Sequence, residues 1–279
     1  MNSKMFYLLI PILTLLGACN SDDMPRYTNL DRLRVMALVP SSAEVDPGAT
    51  VTITPYVSDI YGAGRTLTYT AVRCHDPGID YGATPTCDGS ATRTVIATNT
   101  TVTGLAAPSY TGAVNTFSVT IPSSGEIFAG RSSQALYNGV GYLVTYTVTA
   151  TGEKSLQSFT RIVVSTKTPK NAHPTSLSLL SNGQTLTTLP TTTFNLSLTY
   201  PTTATETFSV ANSDGSTTAK TEILQTTWFI TEGSLKRDRT LGTDVVSYSP
   251  PTTYTAGRVR ILAVTRDGRG GIAVTEKTY

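Results

Sequence analysis

The sequence predicts an all-β protein built as two tandem antiparallel β-sandwiches. Three observations carry that expectation. Helix signals are nearly absent after residue 18, while Thr, Val, Tyr and Ile recur, the residues that suit a pleated, half-buried surface. Short strand-like runs are separated by turn formers at the spacing of a sandwich. A polar stretch with two prolines, Pro169 and Pro174, interrupts the series, and a second, similar series follows it.

The first series begins with residues 33–39, which stop at Pro40. Residues 50–54 come next, after the turn Asp46-Pro47-Gly48. Residues 67–72 run into Cys74, and 94–97 and 116–121 are further candidates. Residues 142–149 alternate strictly, with Tyr142, Val144, Tyr146 and Val148 on one side and Leu143 and threonines on the other. Such alternation marks an antiparallel strand with one buried face. Residues 159–164 close the series. The second series comprises 177–180, 193–200, 226–230, 244–248, 258–265 and 271–278. Asp267-Gly268-Arg269-Gly270-Gly271 joins its last two members as a tight hairpin, since glycine enters positive φ without steric cost. The expected division is 31–166 for the first sandwich, 167–175 for a linker and 176–279 for the second sandwich.

The amino terminus has three parts. Met1-Asn2-Ser3-Lys4 is polar with one positive charge, residues 5–16 are mostly Leu, Ile, Phe and Met, and Leu16-Gly17-Ala18-Cys19 ends the run in small residues and a cysteine. This is the tripartite pattern of a secretory signal. It is too short for a membrane-spanning helix, which needs about 20 apolar residues, and it contains Pro11. Leu16-Gly17-Ala18-Cys19 resembles the lipobox of bacterial lipoproteins. The resemblance implies that 1–18 is a cleaved signal peptide, that Cys19 is acylated, and that the chain is held in the bacterial cell envelope by its lipid. Asn20 follows in place of the Asp that resembles an inner-membrane retention signal, which favours the outer membrane. Residues 19–30 read as a flexible tether.

With Cys19 acylated, two of the three cysteines remain, Cys74 and Cys87. An exported compartment permits their oxidation to a disulfide, and the twelve intervening residues are rich in turn formers. Metal ligation with His75 and a reactive thiol are the rival readings. No CxxC spacing is present, and the second of the two histidines, His173, is remote in sequence. Asp76, Asp80 and Asp88 around this loop could offer oxygen ligands to calcium. Their spacing matches no calcium motif, and turns favour Asp for local backbone bonds.

Glu44-Val45-Asp46-Pro47-Gly48-Ala49-Thr50-Val51-Thr52-Ile53 resembles the opening of bacterial Ig-like and PKD-like domains. Leu67-Thr68-Tyr69 and Thr227-Trp228-Phe229 sit where those domains place a central strand with a core aromatic, and residues 259–267 resemble their penultimate strand. The resemblance implies two Ig-like sandwiches and says little about activity. Cys74 and Cys87 are too close in sequence to link two sheets as in an immunoglobulin domain, so they staple a loop leaving one strand.

Charged residues make up 14% of the chain, hydrophobic ones 39%, and the net charge is +2. No basic patch of nucleic-acid type follows. Lys236-Arg237-Asp238-Arg239 reads as a solvated loop. The single Trp228 reads as core instead of a sugar platform, and Tyr142 and Tyr146 read as packing residues. No G-x-S-x-G elbow, P-loop, HExxH or dinucleotide fingerprint is present. The expectation is a non-catalytic, lipid-anchored interaction or scaffold protein without a cofactor, meeting an envelope protein or a glycan. Its partner-binding loop is placed at His75, Asp76, Asp80 and Tyr81. The alternative is a carbohydrate-binding or adhesive module using Tyr61, Tyr81 or Tyr110.

Overall fold

A computed structural model describes residues 28–78, 85–175 and 178–279. The chain is almost entirely β, in antiparallel sheets that pack as sandwiches. The first half contributes β1 (Arg34–Pro40), β2 (Glu44–Val45), β3 (Thr50–Ser58), β4 (Leu67–His75), β5 (Thr94–Thr101), β6 (Thr111–Ala113), β7 (Phe117–Thr120), β8 (Val140–Ala150) and β9 (Leu156–Val164). Two short helices, α1 (Ser124–Ile127) and α2 (Ser133–Asn138), lie between β7 and β8. The second half contributes β10 (Ser178–Ser181), β11 (Gln184–Thr185), β12 (Phe194–Thr199), β13 (Thr207–Ala211), β14 (Thr217–Thr221), β15 (Gln225–Ile230), β16 (Ser234–Leu235), β17 (Arg239–Leu241), β18 (Val246–Ser249), β19 (Arg260–Arg266) and β20 (Ile272–Thr278).

In the first half, β3 pairs with β1, β6 and β7 in one sheet, and the other runs β2-β9-β8-β4-β5 with β2 parallel to β9. Val51 and Ile53 of β3 meet Val144, Tyr146 and Ile162 of β8 and β9 in a common core. Tyr69 and Tyr146 stack at 4.9 Å between ring centroids, with Phe117 at 6.0 Å from each. In the second half, β11-β10-β12-β18-β16 faces β17-β15-β19-β20, and β13-β14 stands apart as a two-stranded sheet. Trp228 and Tyr248 are fully buried in that second core. The Trp228 indole donates to the Thr240 hydroxyl at 2.9 Å, so the ring serves packing and no sugar platform.

The two sandwiches share a third core. A bulge in β1 between Val35 and Ala37 turns Met36 and Ala37 to the outer face of their sheet. There they pack with Phe229, Leu262, Val264 and Ile272 from the outer face of the β15-β19-β20 sheet. The four main sheets therefore stack as successive layers, and β1, β15 and β19 are covered on both faces. The apolar runs 35–39, Trp228-Phe229-Ile230 and 261–264 within them have that cause.

Leu30 joins the same core. Its amide donates to the Ile230 carbonyl at 3.0 Å, and the Ile230 amide donates to the Thr28 carbonyl at 3.2 Å. Residues 28–30 fall within the stretch expected to be a tether, yet here they are a docked segment, because Leu30 is completely buried against the second sandwich. Cys19 and the leader lie outside the described residues.

Candidate functional site

Cys74 and Cys87 close a loop at the end of β4. The two cysteines form a disulfide, and with Val72 and Leu143 they make a small buried cluster on the outer face of the β4-β8 pair. Asp80 and Tyr81 lie outside the described residues. His75 and Asp76, adjacent in sequence, diverge to two different clefts, because successive strand residues face opposite sides.

His75 lies on the inner side, beside Tyr142 with ring centroids 6.0 Å apart. Its backbone amide donates to the Thr92 hydroxyl at 2.9 Å. This end cleft has a volume of about 730 Å³ and includes Arg73, Thr120, Ser123 and Glu126 in its lining. Ser123 begins α1 and shares a capping box with Glu126, whose carboxylate accepts from both the Ser123 amide and hydroxyl. Those two bonds hold the Glu126 carboxyl below its ordinary range. Burial raises the Tyr142 phenol, with Arg73 acting in the opposite sense. Arg73 itself donates to Tyr142 and to the Thr120 carbonyl.

Asp76 turns outward, pairs with Arg161 and borders a second cleft of about 360 Å³ between the sandwiches. Lys167, Phe208, Arg269 and Glu44 line the same space. Arg269 is its centre. The guanidinium lies 4.0 Å from the Phe208 ring centroid, reaches Glu222 at 2.7 Å and Glu206 at 3.3 Å, and sits 3.7 Å from Glu44. Glu44 is also 3.7 Å from Lys167 and accepts from the Asn171 amide at 2.7 Å. The glycine-rich hairpin anticipated at 267–271 is what carries Arg269 there. The buried Asp267 carboxylate holds that turn by accepting from the amides of Arg269 and Gly271 at 2.7 and 2.9 Å and from the Asn171 side chain at 2.8 Å. Gly270 has φ +103°, and a side chain on it would stand 2.8 Å from the Ala43 carbonyl, so the turn can seat only as glycine.

Burial raises the Glu222 carboxyl, an effect that the Arg269 contact partly offsets. His173 accepts the Ile272 amide at 3.0 Å through Nδ1, and burial lowers its pKa. It therefore ties the segment between the sandwiches to the start of β20.

Sequence reasoning missed this cluster. Glu44, Lys167, Glu206 and Glu222 are scattered over the chain, and only the D-G-R-G-G turn was visible as a unit. Among the aromatic candidates, Tyr61 is 64% exposed, while Tyr110 is half-buried against Gly64. Asp76 and Asp88 are each paired with arginine, Arg161 and Arg93. Among the described residues no group of three or more acidic, His or Cys side chains is placed to hold a metal ion. No protein-family model matches this sequence, and no curated protein matches it.

Proposed function

We propose that the protein is a lipid-anchored, non-catalytic component of the bacterial cell envelope, probed by partners through the loops of its stacked sandwiches. The observation that carries the reading is the position of Asp76. It stands at the root of the stapled loop and on the rim of the cleft between the sandwiches, beside Arg161. Asp76 thus links the disulfide-bonded end of β4 to the rim of the cleft. A surface already ordered loses less entropy when a partner binds.

Two measurements test this. Intact mass of the native protein should give a chain beginning at Cys19 and carrying acyl groups; a chain with an unmodified Cys19 overturns the anchor. A photo-crosslinking residue at Asp88, exposed beside the staple, should capture an envelope partner that the same residue at exposed Lys154 does not. Equal capture from both positions, or none from either, overturns the contact surface.

A further inference from the structure

The hairpin β13-β14 has two edges with opposite fates. Its bonding pattern fixes which backbone groups point where. The Asn212 amide donates to the Ser216 carbonyl at 2.8 Å and the Glu222 amide to the Glu206 carbonyl at 3.0 Å. With the register Phe208↔Lys220 and Val210↔Thr218 between them, the even-numbered residues form the hydrogen-bonded pairs. The amides and carbonyls of residues 207, 209 and 211 therefore point away from the hairpin on one side, and those of 217, 219 and 221 on the other.

The β13 side is covered at Ala211. The Asn138 side chain of α2 accepts the Ala211 amide at 2.8 Å and donates to its carbonyl at 2.9 Å, mimicking a neighbouring strand, and Gln134 adds a bond to the same carbonyl at 3.0 Å. The β14 side is open. All five of its residues are exposed, and among the described residues β13 is its sheet neighbour. Open edges of this type accept an added strand.

We propose that β14 is a self-association edge, on which a second copy of this chain adds its own β14 antiparallel about Ala219. The sequence is self-complementary there. Ala219 faces Ala219 of the second copy, Thr217 faces Thr221, and Lys220 faces Thr218, so the one charged residue of the strand never meets itself. The outward groups of 217, 219 and 221 then form about six backbone hydrogen bonds across a two-fold axis. Ile223, 70% exposed, lies two residues past the end of this strand on the same edge. This inference is independent of the lipid anchor.

Cysteine crosslinking in cells producing the full chain tests both the contact and its register. Directly opposed residues of a hydrogen-bonded antiparallel pair have Cα atoms roughly 5.5 Å apart, within disulfide reach. Ala219→Cys should give a covalent homodimer that neither the unsubstituted chain nor Lys154→Cys gives. Thr217→Cys and Thr221→Cys should crosslink when produced together and not singly. Ala219→Pro removes an outward amide and no bond within the hairpin, so it should lower the Thr217→Cys/Thr221→Cys yield by about tenfold or more. Thr217→Lys with Thr221→Lys, which opposes like charges, should suppress the Ala219→Cys dimer without touching the hairpin's ladder. Absence of the Ala219→Cys dimer, crosslinking of Thr217→Cys alone as readily as the mixture, or an adduct with a different protein in its place would overturn the proposal.

Discussion

The stapled end of β4 and the junction between the sandwiches hold the chain by opposite means. At the staple a covalent bond sits in a small apolar cluster of Val72, Cys74, Cys87 and Leu143. At the junction an apolar core of Leu30, Met36, Phe229 and Leu262 adjoins a buried ion network centred on Arg269. The staple constrains one loop and its contribution is local. The junction draws residues from β2, the 167–173 segment, β13 and the last hairpin, so its integrity depends on both halves being folded. A covalent link stabilises by restricting the unfolded chain. A buried ion network contributes little net stability when intact and costs a great deal when broken.

That difference sets the order of expected effects. Arg269→Ala leaves the buried carboxylate of Glu222 without its nearest cation and takes one of two cations from Glu44, and should cost about 3–5 kcal/mol in denaturant titration. A loss under about 1 kcal/mol would place the junction among weak surface ion pairs. Replacing Cys74 and Cys87 together by serine should cost about 3 kcal/mol, read from the shift of the same transition. The junction should remain coupled in that variant, in contrast to Arg269→Ala. Asn138→Ala removes the side chain that covers Ala211 and should cost about 1–2 kcal/mol. Amide exchange at Ala211 should accelerate with it.

The smallest effect is a pH dependence. Burial raises the Glu222 carboxyl above its unfolded value, so the folded chain binds that proton more readily than the unfolded chain does. The resulting stability is fully present below the unfolded carboxylate pKa and is lost as pH rises through the higher folded value. Stability of the unsubstituted chain relative to Glu222→Gln should therefore increase on acidification from neutral pH. A relative decrease over that window would show that the Arg269 contact outweighs burial at Glu222.

The sheets were legible wherever a strand buries one face or ends at a turn former. Residues 142–149 alternate, and β8 sets Tyr142, Val144, Tyr146 and Val148 into the core, while Leu143 on the opposite face is covered by the disulfide cluster. The disulfide was expected from the cysteine count and from the exported compartment that the leader implies. The continuous runs at 33–39 and 261–264 were read as strands, but nothing local says that both their faces are covered, because that depends on the other sandwich. The hairpin at 207–221 was missed: its β14 is Thr-Thr-Ala-Lys-Thr, exposed throughout, and no apolar periodicity marks it. The helices α1 and α2 are too short for a 3.6-residue pattern to develop. His75 and Asp76 were named from the sequence, but that they open on two different clefts was not foreseen. Arg269 gave no signal of its own, since an arginine in a glycine turn ordinarily faces solvent.

The shared core and the Arg269 network fuse the two sandwiches into one cooperative unit. Differential scanning calorimetry of the unsubstituted chain and of Arg269→Ala tests it most directly. The account predicts a single transition for the unsubstituted chain, with van't Hoff and calorimetric enthalpies in a ratio of about one, and two separated transitions for the variant. Two independent transitions in the unsubstituted chain would contradict it.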